Sequence, residues 1–75
     1  MNLEAVIEEI KELAIECVQK QREECIKVSD SVVLAYLTSL LPEHDLDIIH
    51  RYQQLIIGIF RETAQEELEF LNNRP

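Results

Sequence analysis

Between Leu3 and Cys17 the apolar residues Leu3, Ile7, Ile10, Ala14 and Cys17 recur at alternating spacings of four and three. That period places all of them on one stripe of an α-helix, and the stripe must be covered by another element. Val6 and Leu13 widen it, while Ile15 and Val18 extend it on another side. Glu4, Glu8 and Glu9 sit where the positive end of a helix dipole favours acids. Glu16 with Lys20, and Glu23 with Lys27, are i,i+4 pairs in the favourable order, so the first helix is predicted over 3–27.

Around Val28-Ser29-Asp30-Ser31 the pattern is interrupted by residues that satisfy free N–H groups at a helix start. A short, almost wholly apolar second helix is predicted over 31–41, ending where Pro42 disfavours the α conformation at Leu41. Glu43-His44-Asp45 then forms a turn, with Asp45 expected as the next N-cap, and a third helix follows over 46–72. Its apolar positions include Leu46, Ile49, Tyr52, Ile56, Ile59, Phe60, Ala64, Leu68 and Leu71. Leu55 and Ile57 lie outside that stripe, and with Ile56, Ile59 and Phe60 they sweep about 200° of the helix, so this stretch is expected to touch neighbours on two sides. Gly58 lies within it and weakens a helix by about 1 kcal/mol relative to Ala, which suggests a close helix crossing there.

The expectation is an all-α, long-short-long three-helix unit in a single domain over 1–75. A chain of 75 residues buries only about 60% of the surface its unfolded form exposes. One short helix also cannot cover two long ones, which points to a homodimer forming a helical bundle. The expected interface residues are Tyr52, Leu55, Ile56, Ile57, Ile59 and Phe60 on the third helix, with Ile7 and Ile10 on the first.

Fifteen acidic against seven basic residues give a net charge of −8, which repels phosphate backbones and anionic lipid. A helix-turn-helix across the second and third helices would turn Glu43, Asp45 and Asp47 toward phosphates, so no nucleic-acid partner is expected. The apolar runs fall far short of the roughly 20 residues of a membrane span. No signal peptide is visible, so no membrane partner and a cytoplasmic location are expected. Cys17 and Cys25 on one continuous helix would be about 12 Å apart, beyond disulfide reach, which predicts free thiols, with an intermolecular bridge as the less favoured option.

The densest polar cluster, Glu43, His44, Asp45, Asp47 and His50, reads as a capped turn rather than a metal site, because the further inward carboxylates of a bundle metal centre are missing. Nothing near Cys17 would lower its thiol pKa, and Tyr36 and Tyr52 lie on apolar faces as core or rim aromatics. No Gly-rich loop or Ser/His/Asp arrangement is present. Catalytic residues, cofactor and metal are all expected to be none.

The segment Ile49-His50-Arg51-Tyr52-Gln53-Gln54-Leu55-Ile56-Ile57 resembles the last helix of the small all-helical chorismate mutases. That resemblance implies intertwined dimers of long-short-long chains. The family surrounds its dianionic substrate with arginines from the first helix, whereas here that helix offers only Arg22 beside Lys11, Lys20 and Lys27. The positions where the family places polar active-site side chains fall near Phe60 and Ala64, both apolar, so the likeness extends to helix layout and not to catalysis. The function expected is therefore that of an acidic protein–protein interaction module, an adaptor or inhibitor, with a self-associating structural protein as the alternative and, less favoured, a small all-helical dimeric enzyme that resembles chorismate mutase in helix layout only. Glu62, Glu66 and Glu69 are candidates for steering a basic partner, as is the row Glu8, Glu12 and Glu16.

Overall fold

The computed structural model describes residues 2–73 and is all-helical. Met1, Arg74 and Pro75 of the expected 1–75 unit lie outside the described residues. The order is α1 (Leu3–Gln21), a 3₁₀ segment (Arg22–Ile26), α2 (Asp30–Leu40), a second 3₁₀ turn (Glu43–Asp45), α3 (Leu46–Arg51) and α4 (Gln53–Asn72). The expected long-short-long layout is thus four helices rather than three, because the expected third helix is divided in two, and the first is also shorter than its pattern suggested.

α1 starts at Asn2, whose side-chain oxygen accepts from the Glu4 N–H at 3.0 Å. It ends at Gln21, not at residue 27. Past Cys17 the apolar stripe would continue at positions 21 and 24, which are Gln and Glu, so a longer helix would bury nothing there. Arg22 instead takes φ 55°, ψ −133°, a left-handed conformation that favours glycine, and the chain turns back through the 3₁₀ segment. The reversal brings the Cα atoms of Cys17 and Cys25 to 6.2 Å, and the two form a buried disulfide. The expectation of free thiols fails because it assumed a helix that ran on through Cys25.

α2 begins as expected. Ser29 is its N-cap, accepting from the Val32 N–H at 3.4 Å, and Leu41 is extended ahead of Pro42. Asp45 does not cap α3: its backbone is already helical, its side chain caps nothing, and it is nearly buried. The expected third helix breaks at Tyr52, where ψ is 37°, giving α3 and α4. Backbone bonds from Tyr52 N to Ile48 O and from Ile56 N to Tyr52 O flank the break, so it is a kink rather than a loop.

The core runs along the contact of α1 with α4. Val6, Ile10, Ala14 and Val18 of α1 meet Ile56, Ile57, Phe60, Ala64 and Leu68 of α4, with Val33 and Leu37 of α2 and Ile49 of α3 filling one side. Leu3 shares a surface groove with Arg51 and Tyr52, so α1 and α4 start at the same end of the molecule. α2 returns between them. The folded-back 3₁₀ segment packs on both α1 and α4, which supplies cover that a single short helix could not.

Arg61 holds this corner in place. Its Nε and Nη2 donate to Asp30 Oδ1 at 3.1 and 2.6 Å, its Nη2 also to Val28 O at 2.8 Å and its Nη1 to Ile26 O at 3.4 Å. These bonds occupy carbonyls left over where the 3₁₀ segment gives way to α2. The Asp30 carboxylate is well exposed, which discounts the ion pair and leaves the carbonyl contacts as the larger share. Arg61→Ala is expected to cost about 1–2 kcal/mol. In amide exchange it should speed residues 26–30 selectively, and unchanged protection there would show that packing alone holds the corner.

A candidate docking seam between α1 and α4

The two parallel helices leave a shallow groove of about 410 Å³ on the face away from α2. Ile7 and Ile15 of α1 and Ile59 of α4 form its apolar lining, with Lys11, Thr63, Glu62 and Glu66 around them. Ile7, Lys11 and Ile15 are spaced i, i+4, i+8, so the two isoleucines lie about 12 Å apart on one side of α1 with the lysine between. On α4, Leu55, Ile59, Glu66 and Phe70 share a stripe at spacings of four and seven, and both Leu55 and Phe70 are exposed. Beyond the groove's Leu3 end lies a second depression of about 240 Å³, lined also by Asp47, Ile48, Arg51 and Tyr52.

The structure separates the residues expected at an interface into two groups. Ile10, Ile56, Ile57 and Phe60 are core residues of the chain itself. Ile7 and Ile59 are half-buried in the seam, and Tyr52 and Leu55 are exposed along it. Within the chain α4 touches α1, α2 and the 3₁₀ segment, but not through Leu55, which keeps 47% of its exposure. A Cβ built on Gly58 would meet nothing within 4 Å, so among the described residues no helix crosses closely there.

Of the acidic candidates, Glu62 and Glu66 line the groove. Glu69 is exposed one turn beyond, its Oε1 accepting from Gln65 Nε2 at 3.3 Å. Glu8, Glu12 and Glu16 are exposed on α1. The seam thus pairs an apolar floor with a predominantly acidic rim. Lys11, Ile15 and Thr63 are the members that sequence reasoning missed; for Ile15, read as extending the stripe on another side, the i+8 relation to Ile7 was the available signal.

Two other depressions gather polar or aromatic side chains. Near the start of α1, Asn2, Ala5, Val6 and Glu9 face His44 and Asp45 across an open depression of about 520 Å³, with His44 Nε2 3.5 Å from Asp45 Oδ1. Among the described residues no three His, Cys, Asp or Glu side chains converge as a metal site would require. A smaller apolar cavity of about 60 Å³ lies against the disulfide, between Val28, Val33, Tyr36 and Phe60. The Tyr36 and Phe60 rings meet edge to face at 6.1 Å. Burial, and secondarily the Glu16 carboxylate, raise the Tyr36 pKa above 10.0 and keep its hydroxyl protonated.

Phe60 and Ala64, where the chorismate mutase resemblance would place polar groups, are buried in this apolar core. Among the described residues no helix is long and apolar enough to cross a membrane. Comparison with protein families, curated proteins and solved structures found no match.

Proposed function

We propose that the protein is an interaction module, an adaptor or inhibitor, that accepts a basic amphipathic helix of another protein along the α1/α4 seam. The observation that carries this reading is the isoleucine-lined groove with Glu62 and Glu66 on its rim. A helix laid there would place apolar side chains on Ile7, Ile15 and Ile59, and its flanking lysines or arginines beside the acids. The net charge of −8 would speed encounter with such a partner, and the rim would fix its register. The same rim disfavours pairing of two copies through this seam, because it would set glutamates against glutamates.

The test uses two synthetic helical peptides with the same leucine stripe, one flanked by lysines and one by glutamates. The basic peptide is expected to shift the methyl resonances of Ile7, Ile15 and Ile59 and to bind about tenfold or more tightly than its acidic twin at low salt. The triple reversal Glu62→Lys, Glu66→Lys, Glu69→Lys should invert that preference. Equal binding of both peptides, or shifts confined to another face, would reject the seam as the docking site.

A further inference from the structure

α2 carries an outward face with a different character. Residues 31–42 contain none of the chain's Lys, Arg, Asp or Glu, although the remainder carries the full net charge of −8. Val33, Leu37 and Leu41 face the core, which turns Ala35 and Ser39 most directly away from it, flanked by Val32, Tyr36 and Leu40. Val32 and Leu40 are each 51% exposed.

The Thr38 and Ser39 hydroxyls of α2 make no outward demand. Thr38 Oγ1 donates to Ala35 O at 3.0 Å, and Ser39 Oγ donates to Tyr36 O at 2.7 Å. Hydroxyls bonded back onto their own helix in this way can leave water without losing a hydrogen bond. Ala35 and Ser39, four residues apart, also leave a flat strip on which another backbone can approach closely.

From these features we infer that α2 is the contact face of a homodimer, occupied by α2 of a second copy running antiparallel across a two-fold axis. This inference does not rest on the partner-docking reading, since it uses none of the residues lining the seam. The occupant is argued from charge. Over most of an exterior this acidic a second copy is repelled, and the longest uncharged run of the chain, residues 31–42, lies on α2 just past its first residue Asp30, with a shorter run over 52–60 opening α4. The face is also self-complementary. Val32 and Leu40 stand equally far on either side of Tyr36, so a two-fold near that residue sets Val32 of one copy against Leu40 of the other. Ala35 and Ser39 lie beside that axis, where their small side chains let the two backbones approach, and the antiparallel helix dipoles oppose one another favourably.

Sedimentation velocity and light scattering of the intact chain, from low micromolar to submillimolar concentration, test the inference. The expected result is a reversible monomer–dimer equilibrium that Leu40→Lys and Val32→Lys each weaken by about tenfold or more. Ala35→Leu, which fills the flat strip, should weaken it as well. All three positions are exposed or rim sites in the isolated chain, so unchanged circular dichroism of the variants confirms that the fold survives. A chain monomeric at every concentration overturns the inference. So does a dimer indifferent to all three substitutions, or one lost on Glu62→Lys instead, and so does a monomer that binds neutral phosphatidylcholine vesicles through Val32 and Leu40.

Discussion

The double substitution Cys17→Ala, Cys25→Ala is expected to lower stability by about 2.5 kcal/mol, the chain-entropy contribution of a bridge closing so short a loop. In a domain of this size that corresponds to a fall in melting temperature of roughly 10–20 °C. The loss should be uneven. α1 up to Cys17 is held by apolar contact with α4, whereas the 3₁₀ segment carries one buried side chain, Cys25, and otherwise depends on the bridge and on Arg61. The left-handed backbone at Arg22 adds to the tension, since such conformations cost on the order of 1–3 kcal/mol for a residue with a Cβ. Thermal melts of oxidised protein, reduced protein and the double variant provide the check. Equal midpoints for all three, with the bridge confirmed by mass in the first, would show that the corner holds without it.

A second large effect is expected from paired substitutions at adjacent positions of α4. Ile56 is fully buried against α1 and α2, and Leu55 beside it faces outward. Ile56→Asp would bury a carboxylate without a partner, at a cost on the order of 4 kcal/mol or more, comparable with the whole stability of a chain this small. Leu55→Asp should change stability by about 0.5 kcal/mol or less. Far-UV circular dichroism in urea separates the two. A folded Ile56→Asp protein would mean that α4 can rotate on α1, and the assignment of seam and core faces would then be wrong.

The helical class and the α1/α4 core were legible because both rest on the three-and-four spacing of apolar residues, a signal that long-range packing reinforces. The N-cap at Ser29 and the stop at Leu41–Pro42 were legible for a local reason: capping and the steric effect of proline act within a few residues. What was not legible were the places where that pattern lapses. Gln19 to Glu24 is uniformly polar, and the Glu23–Lys27 spacing suited a continuing helix; the reversal at Arg22 is set by tertiary contacts of Cys25 and Ile26 instead. The kink at Tyr52 carries no proline or glycine to announce it. Of the candidate docking seam, Ile7 and Ile59 could be picked out as apolar positions needing cover. Which of the many apolar residues stay uncovered depends on how α1 rotates against α4, and the spacing alone does not contain that angle.

The Arg61 clasp also bears on the order in which the fold is acquired during synthesis. Its three partners, Ile26, Val28 and Asp30, precede it by 31 to 35 residues, and the stripe of α1 finds its main cover on α4. A nascent chain that has emerged only as far as α2 therefore lacks both the guanidinium that closes its corner and the surface on which α1 rests. At a ribosomal rate of roughly 5–20 residues per second, the apolar stripe waits for seconds before α4 reaches it. Folding of this chain is therefore expected to wait for α4, with the acids of α1 opposing association of its uncovered stripe in the meantime.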